Sequence, residues 1–261
     1  MRLPLGWWAV AAGLAACSGG GSAAERSDAG TAPIAQTAAP EEIQILWDEA
    51  MEAFRRGEFA TTGDNLERLV LEFPPGDPRI SRAHFYLGES YLGMKDQLQA
   101  VREFRRVSDE RPNDPLAPTA LLRAGDAYAE LWSRPELDPS YGQTALATYQ
   151  ELLNRYPESQ AADRARVRIL ALEEWFAAKE FKTAMFYLRL KAWDSAILYL
   201  KGMVADYPRA DVAPEALEKL VEAYRKLGYE DDVEETCGYM RRFHRDEAET
   251  AAACPATIQE S

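Results

Sequence analysis

The chain has 261 residues, 47% hydrophobic and 28% charged, enough apolar material for one or two packed domains. Its 43 acidic and 30 basic side chains leave a net charge of −13, and a surface of that sign repels the phosphates of nucleic acid. Two histidines (His84, His244) and three cysteines (Cys17, Cys237, Cys254) are too few for a His/Cys metal cluster or a disulfide-built scaffold. No metal or cofactor is expected.

Met1–Arg2 and the apolar stretch Leu3–Leu14 read as a secretory signal over residues 1–16. The apolar part is too short to cross a bilayer core of ~30 Å as a helix. Leu14-Ala15-Ala16-Cys17 resembles a bacterial lipobox, which implies lipidation at Cys17. Ser18, rather than aspartate, follows the cysteine, and sorting rules for such signals point to the outer membrane. The expected location is its periplasmic face, lipid-anchored. Residues 17–40 are rich in Gly, Ser, Ala and Thr without apolar periodicity, a flexible tether with a mean reach of roughly 25 Å.

From residue 41 to 245 apolar residues recur at helical spacing, and Gly or Pro punctuates the chain. Three segments align: Gly88, Tyr91, Ala100, Phe104, Pro112; then Gly125, Tyr128, Ala145, Tyr149, Pro157; then Ala184, Tyr187, Ala196, Leu200, Pro208. Alanine and proline are 12 apart in each, while tyrosine and alanine are 9 apart in two units and 17 in the middle one. These residues resemble the tetratricopeptide repeat. Small residues let two helices of a hairpin approach, Phe104, Tyr149 and Leu200 are expected to bury against the next hairpin, and proline ends the second helix. Weaker units flank the three, as solenoid ends require. Residues 161–179, with Val167, Leu170, Leu172, Trp175 and Phe176, read as an extra helix. The predicted fold is all-α: a tetratricopeptide solenoid of about five hairpins plus that helix. Residues 246–261 are acidic and alanine-rich, and are expected to be disordered.

The C-terminal half carries a more specific likeness. Leu137-Asp138-Pro139, Leu152-Leu153, Tyr156-Pro157-Glu158-Ser159, Ala178-Lys179-Glu180-Phe181, Phe186-Tyr187-Leu188, Ala196-Ile197, Tyr207-Pro208, Ala223-Tyr224 and Leu227-Gly228 follow one another in order. With the lipobox and the five-hairpin count, this resembles the BamD family, the tetratricopeptide lipoproteins of the outer-membrane β-barrel assembly machinery. The resemblance covers residues 41–245. It implies a non-enzymatic scaffold whose N-terminal hairpins engage unfolded outer-membrane proteins. Its C-terminal hairpins would dock on the POTRA domains of BamA, beside other lipoproteins of the machinery. Arg189, Trp193 and Tyr199 fall at the docking hairpin, and Tyr199 stands where family members carry an arginine that pairs with a POTRA glutamate. The segment from Ser133 to Tyr141 is shorter than in some members.

In tetratricopeptide arrays the first helices of successive hairpins line a groove. Counting back from the small residue of each unit places Trp47, Met51, Phe54 and Arg55 there from the first hairpin. Arg82, Phe85 and Glu89 come from the second, and Leu122 and Asp126 from the third. The Lys/Asn clamp that some such grooves close on a peptide carboxylate is absent, and an aromatic lining suits an apolar extended segment. The plainer alternative is that Trp47 and Phe85 are interhelical core. His84 is expected to pack inside its hairpin, and no serine, histidine and acid group for catalysis. Cys237 takes the position of Phe104 and reads as a small buried apolar residue. An oxidising periplasm permits a bridge to Cys254, but a disordered tail gives no reason for the two to meet. A rival reading is a scaffold of another envelope system, of the kind associated with Tol–Pal.

Overall fold

The computed structural model describes residues 39–254. The signal, Cys17, residues 17–38 of the tether and residues 255–261 lie outside them. Eleven α-helices and no strand occur among the described residues: α1 (Pro40–Arg55), α2 (Phe59–Glu72), α3 (Arg79–Gly93), α4 (Gln97–Arg105), α5 (Ala117–Leu131), α6 (Ser140–Arg155), α7 (Gln160–Arg189), α8 (Trp193–Asp206), α9 (Ala213–Leu227), α10 (Glu230–Phe243) and α11 (Ala248–Ala253). Each helix packs on the next, so α1–α2, α3–α4, α5–α6, α7–α8 and α9–α10 form five successive hairpins.

Turn chemistry explains where the helices begin and end. Gly57, Lys95, Lys191 and Gly228 each sit one residue before the N-cap of a second helix, and all four have positive φ. That left-handed conformation is free for glycine and costs lysine roughly 1–2 kcal/mol. Asp96 accepts from Gln99 N–H to cap α4, and Ser159 accepts from Ala162 N–H to cap α7. Pro112, Pro157 and Pro208 fall two residues past the π-helical turn Arg106–Glu110, α6 and α8 respectively. The carbonyl of Ser108 in the π turn accepts from the Arg155 guanidinium, which also holds Asp109 at 2.9 Å.

Within each hairpin one contact is filled by residues of reciprocal size. Gly88 faces Phe104 and Gly125 faces Tyr149, so closely that a Cβ on Gly88 would lie 2.7 Å from the Phe104 ring. The corresponding pairs are Ala50 with Leu66, Ala184 with Leu200 and Val221 with Cys237, each pair sharing one buried cluster. Phe104 and Tyr149 therefore seat first against the glycine of their own hairpin, where the spacing had suggested the next one. Gly88→Ala is expected to lower the denaturant midpoint, because overpacking of this kind costs about 1–3 kcal/mol. Gly202, inside α8 with nothing within 4 Å of its Cβ position, is the contrast: Gly202→Ala should raise the midpoint, worth about 0.5–1 kcal/mol.

Two expectations need correction. The extra helix at 161–179 is not separate; residues 160–189 form one helix of 30 residues, because no Gly or Pro interrupts it. It serves as the long first helix of the fourth hairpin. The tail is also ordered as far as Cys254: α11 packs on α9, and Cys254 is disulfide-bonded to Cys237 with Cα atoms 5.5 Å apart.

Candidate functional site

The first helices lie side by side, as contacts from α1 to α3 to α5 to α7 show. Phe54 on α1 meets Tyr86 on α3 edge-on at 5.0 Å. Glu89 on α3 accepts two hydrogen bonds from Arg123 on α5, at 2.5 and 2.8 Å. Asp126 on α5 accepts from Arg168 Nε on α7 at 3.0 Å.

The residues expected to line this face divide by register. Trp47 is core, 6% exposed, within the cluster of Leu66, Leu69 and Phe73, and the Arg82 guanidinium covers its ring at 5.3 Å. Leu122 is core as well, in the cluster of Trp132 and Leu152. Both turn toward the second helices, so neither is available to a ligand. Phe85 is half-buried and edges onto Phe104 at 5.5 Å. Met51 and Phe54 are half-buried, and Arg55 is exposed and held by Glu52. What remains open is a short aromatic strip of Phe54, Tyr86 and Phe85 over the first two hairpins.

Beyond that strip the face is ionic. Asp126 gathers Arg123 at 3.2 Å, Arg168 at 3.0 Å and the Tyr149 hydroxyl at 2.8 Å, so three helices, α5, α6 and α7, meet on one carboxylate. Burial first, and then the Asp126 charge, push the Tyr149 phenol well above its ordinary pKa. The raised pKa means that unfolded tyrosine releases its proton near pH 10 while the folded residue keeps it. Stability from this group is thus full below that pH and falls as pH rises. Tyr149→Phe should lower stability at neutral pH by about 1.5 kcal/mol, the low end for a bond to a charged acceptor, because both arginines remain on Asp126. Its loss of stability above pH 10 should be shallower than that of the parent protein, a difference read by chemical denaturation at several pH values. Repeat spacing marks Tyr149 as a packing residue but says nothing of its bond to Asp126, and of the two arginines only Arg123, three residues before Asp126 on one helix, is open to inference from spacing.

The second face lies where α7 turns into α8. Arg189 ends α7 and is exposed, Trp193 opens α8 and is half-buried, and Lys191 makes the turn. Tyr199 is half-buried with its ring parallel to Tyr187, 13° between planes and 5.3 Å between centroids. The Tyr187 hydroxyl beside it raises the Tyr199 phenol pKa. Around the same turn Phe186, Leu190 and Leu198 present large apolar side chains to solvent, with Leu198 70% exposed.

His84 packs inside its hairpin, as expected, and there its Nδ1 lies 2.7 Å from a Glu103 carboxylate oxygen, both side chains buried. A cleft of about 450 Å³ between α8, α9 and α10 is lined by Val204, Leu217, Leu220 and Tyr224 with Lys201 and Asp232 at its edge. Among the described residues no group of His, Cys, Asp and Glu is placed to hold a metal ion, and no helix is long and apolar enough to cross a membrane.

A family model, YfiO, described as outer membrane lipoprotein, matches residues 40–238. The outer membrane protein assembly factor BamD of Vibrio cholerae is 29% identical, over 75% of this chain and 85% of that protein. The protein of the same name from Xylella fastidiosa strain Temecula1 is 26% identical over 71% of this chain and 67% of its own length. That of Caulobacter vibrioides is 25% identical over 73% and 62%.

Proposed function

The chain belongs to the YfiO family of outer membrane lipoproteins, and from that membership we propose that it is a non-enzymatic scaffold for the assembly of outer-membrane proteins. Its relatives bear the name of outer membrane protein assembly factors along most of the repeat region. In this reading Cys17 carries the lipid anchor, and two or more buried acyl chains, at ~0.8 kcal/mol per CH₂, hold the protein to the membrane without a transmembrane helix. The α7–α8 turn docks on POTRA domains of a BamA-type partner. The single observation that carries this assignment is the exposure of the large apolar side chains Phe186, Leu190 and Leu198 on and between the two helices that carry Arg189, Trp193 and Tyr199.

Unfolded barrel segments would meet the other end. The aromatic strip of Phe54, Tyr86 and Phe85 offers ring faces and edges to an apolar extended chain. The ionic bridges centred on Asp126 confine that binding to the first two hairpins, since Arg123 and Arg168 are already committed to carboxylates.

Two experiments test the proposal. Cys17→Ser, followed by envelope fractionation, should release the protein from the outer membrane; a variant that is still acylated and membrane-bound would refute the anchor. Tandem POTRA domains mixed with the mature protein should form a complex that survives gel filtration. Failure of the unaltered protein to bind them overturns the assembly role as stated.

A further inference from the structure

We infer that α11 is the truncated first helix of a sixth repeat, and that the Cys237–Cys254 disulfide is a redox-dependent lock holding it over the end of the array. The backbone identifies the half-repeat. Tyr156 and Tyr207 each donate N–H four residues back, to Leu152 and Met203, and then accept from the N–H of Ser159 and Ala210. His244 repeats both bonds, donating to Met240 and accepting from Glu247. Three residues further on, Ala162, Ala213 and Thr250 occupy one buried position.

The lock follows from what α11 lacks. Its six residues are far below the length at which a helix holds itself in water. It buries only Thr250, Ala253 and the adjoining Cys254, no large apolar side chain. Its non-covalent ties are few: Arg225 donates to the Ala253 carbonyl at 2.6 Å and Thr250 to the His244 carbonyl at 2.6 Å. Beneath it lie Leu217, Val221 and Met240, the apolar end of the fifth hairpin. The disulfide closes a loop with a sequence separation of 17 residues, which shifts such an opening equilibrium by on the order of a hundredfold.

The oxidant required is a disulfide, of a partner protein or a small molecule. The Cys254 thiolate attacks one of its sulfurs and expels a thiolate, leaving a mixed disulfide. The Cys237 thiolate then attacks the Cys254 sulfur and expels the second. Two cysteine thiols are oxidised, one disulfide is reduced to two thiols, and the protons pass to the departing thiolates. In a reducing compartment the cap stays open, and it closes after export.

Hydrogen exchange of the full-length protein, with and without a phosphine reductant, tests the lock. Amides of residues 248–253 should exchange on the order of a hundredfold faster after reduction, while those of α9 keep their protection. Maleimide labelling mapped to Cys237 and Cys254 should require the reductant. Arg225→Ala, kept oxidised, should change α11 protection by only a few fold. Equal protection in the two redox states, free thiols in protein taken from the periplasm, or loss of the cap in oxidised Arg225→Ala would each overturn the proposal.

Discussion

Trp132→Ala is expected to lower stability by about 3–5 kcal/mol, the range for deleting a fully buried aromatic. Trp132 is 1% exposed at the end of α5. Its ring packs at 4.6 Å from Phe176 and 5.6 Å from Trp175, both on α7. The other side lies against Gly142 on α6, where a Cβ would collide with the indole. One side chain thus fills the space among three helices, and its removal leaves a cavity that rigid neighbours cannot close. The indole N–H has no hydrogen-bond partner among the described residues, so Trp132→Phe trades lost area for relief of an unpaired donor and should cost far less. A double-mutant cycle isolates the Gly142 contact. Gly142→Ala should destabilise the parent protein, yet be neutral or favourable once Trp132 is alanine. Additive midpoints in urea would show that the two residues do not share one space.

Trp132 is not legible in the repeat spacing. Repeat spacing identifies residues that recur, and Gly88, Gly125, Ala100, Ala145 and the three prolines all stand where helical hairpins require them. Trp132 precedes the segment that breaks the spacing of the third unit, so no other repeat contains its equivalent. The same holds for the charge network. Glu89 and Asp126 were placed on the right face by helical period, but Arg168 reaches Asp126 across 42 residues of sequence. Trp47 and Leu122 show the limit of a face assignment: one helical position, about 100° of rotation, separates a groove residue from a core residue. The tail was misread for a compositional reason. Alanine and acid suggest a solvated segment, and only the closeness of Cys254 to Cys237 in three dimensions makes residues 248–253 a cap.

The largest expected effect on binding belongs to the α7–α8 turn. Leu198 is 70% exposed, so Leu198→Asp removes little packing and should change stability by no more than about 0.5 kcal/mol. If the turn docks a POTRA domain, the same change buries an unpaired charge in an apolar contact. It should then weaken binding by about 2 kcal/mol or more, on the order of thirtyfold in Kd. Leu71, 85% exposed on α2 in the first hairpin, provides the control: Leu71→Asp should leave binding unchanged. Tyr199→Ala should also weaken binding. It additionally breaks the ring stack with Tyr187, worth about 0.5–1.5 kcal/mol to the fold, so its melting temperature must be measured alongside. Tyr199→Arg restores the residue type that the family likeness suggests there. An exposed ion pair contributes only about 0–1 kcal/mol, whereas a tyrosine anchored by its neighbour supplies rigid apolar area. The arginine variant is therefore expected to bind no more tightly than the parent and to show a steeper dependence on salt. Isothermal titration of the four variants against tandem POTRA domains decides the matter, and equal affinities for Leu198→Asp and Leu71→Asp would remove this turn from the interface.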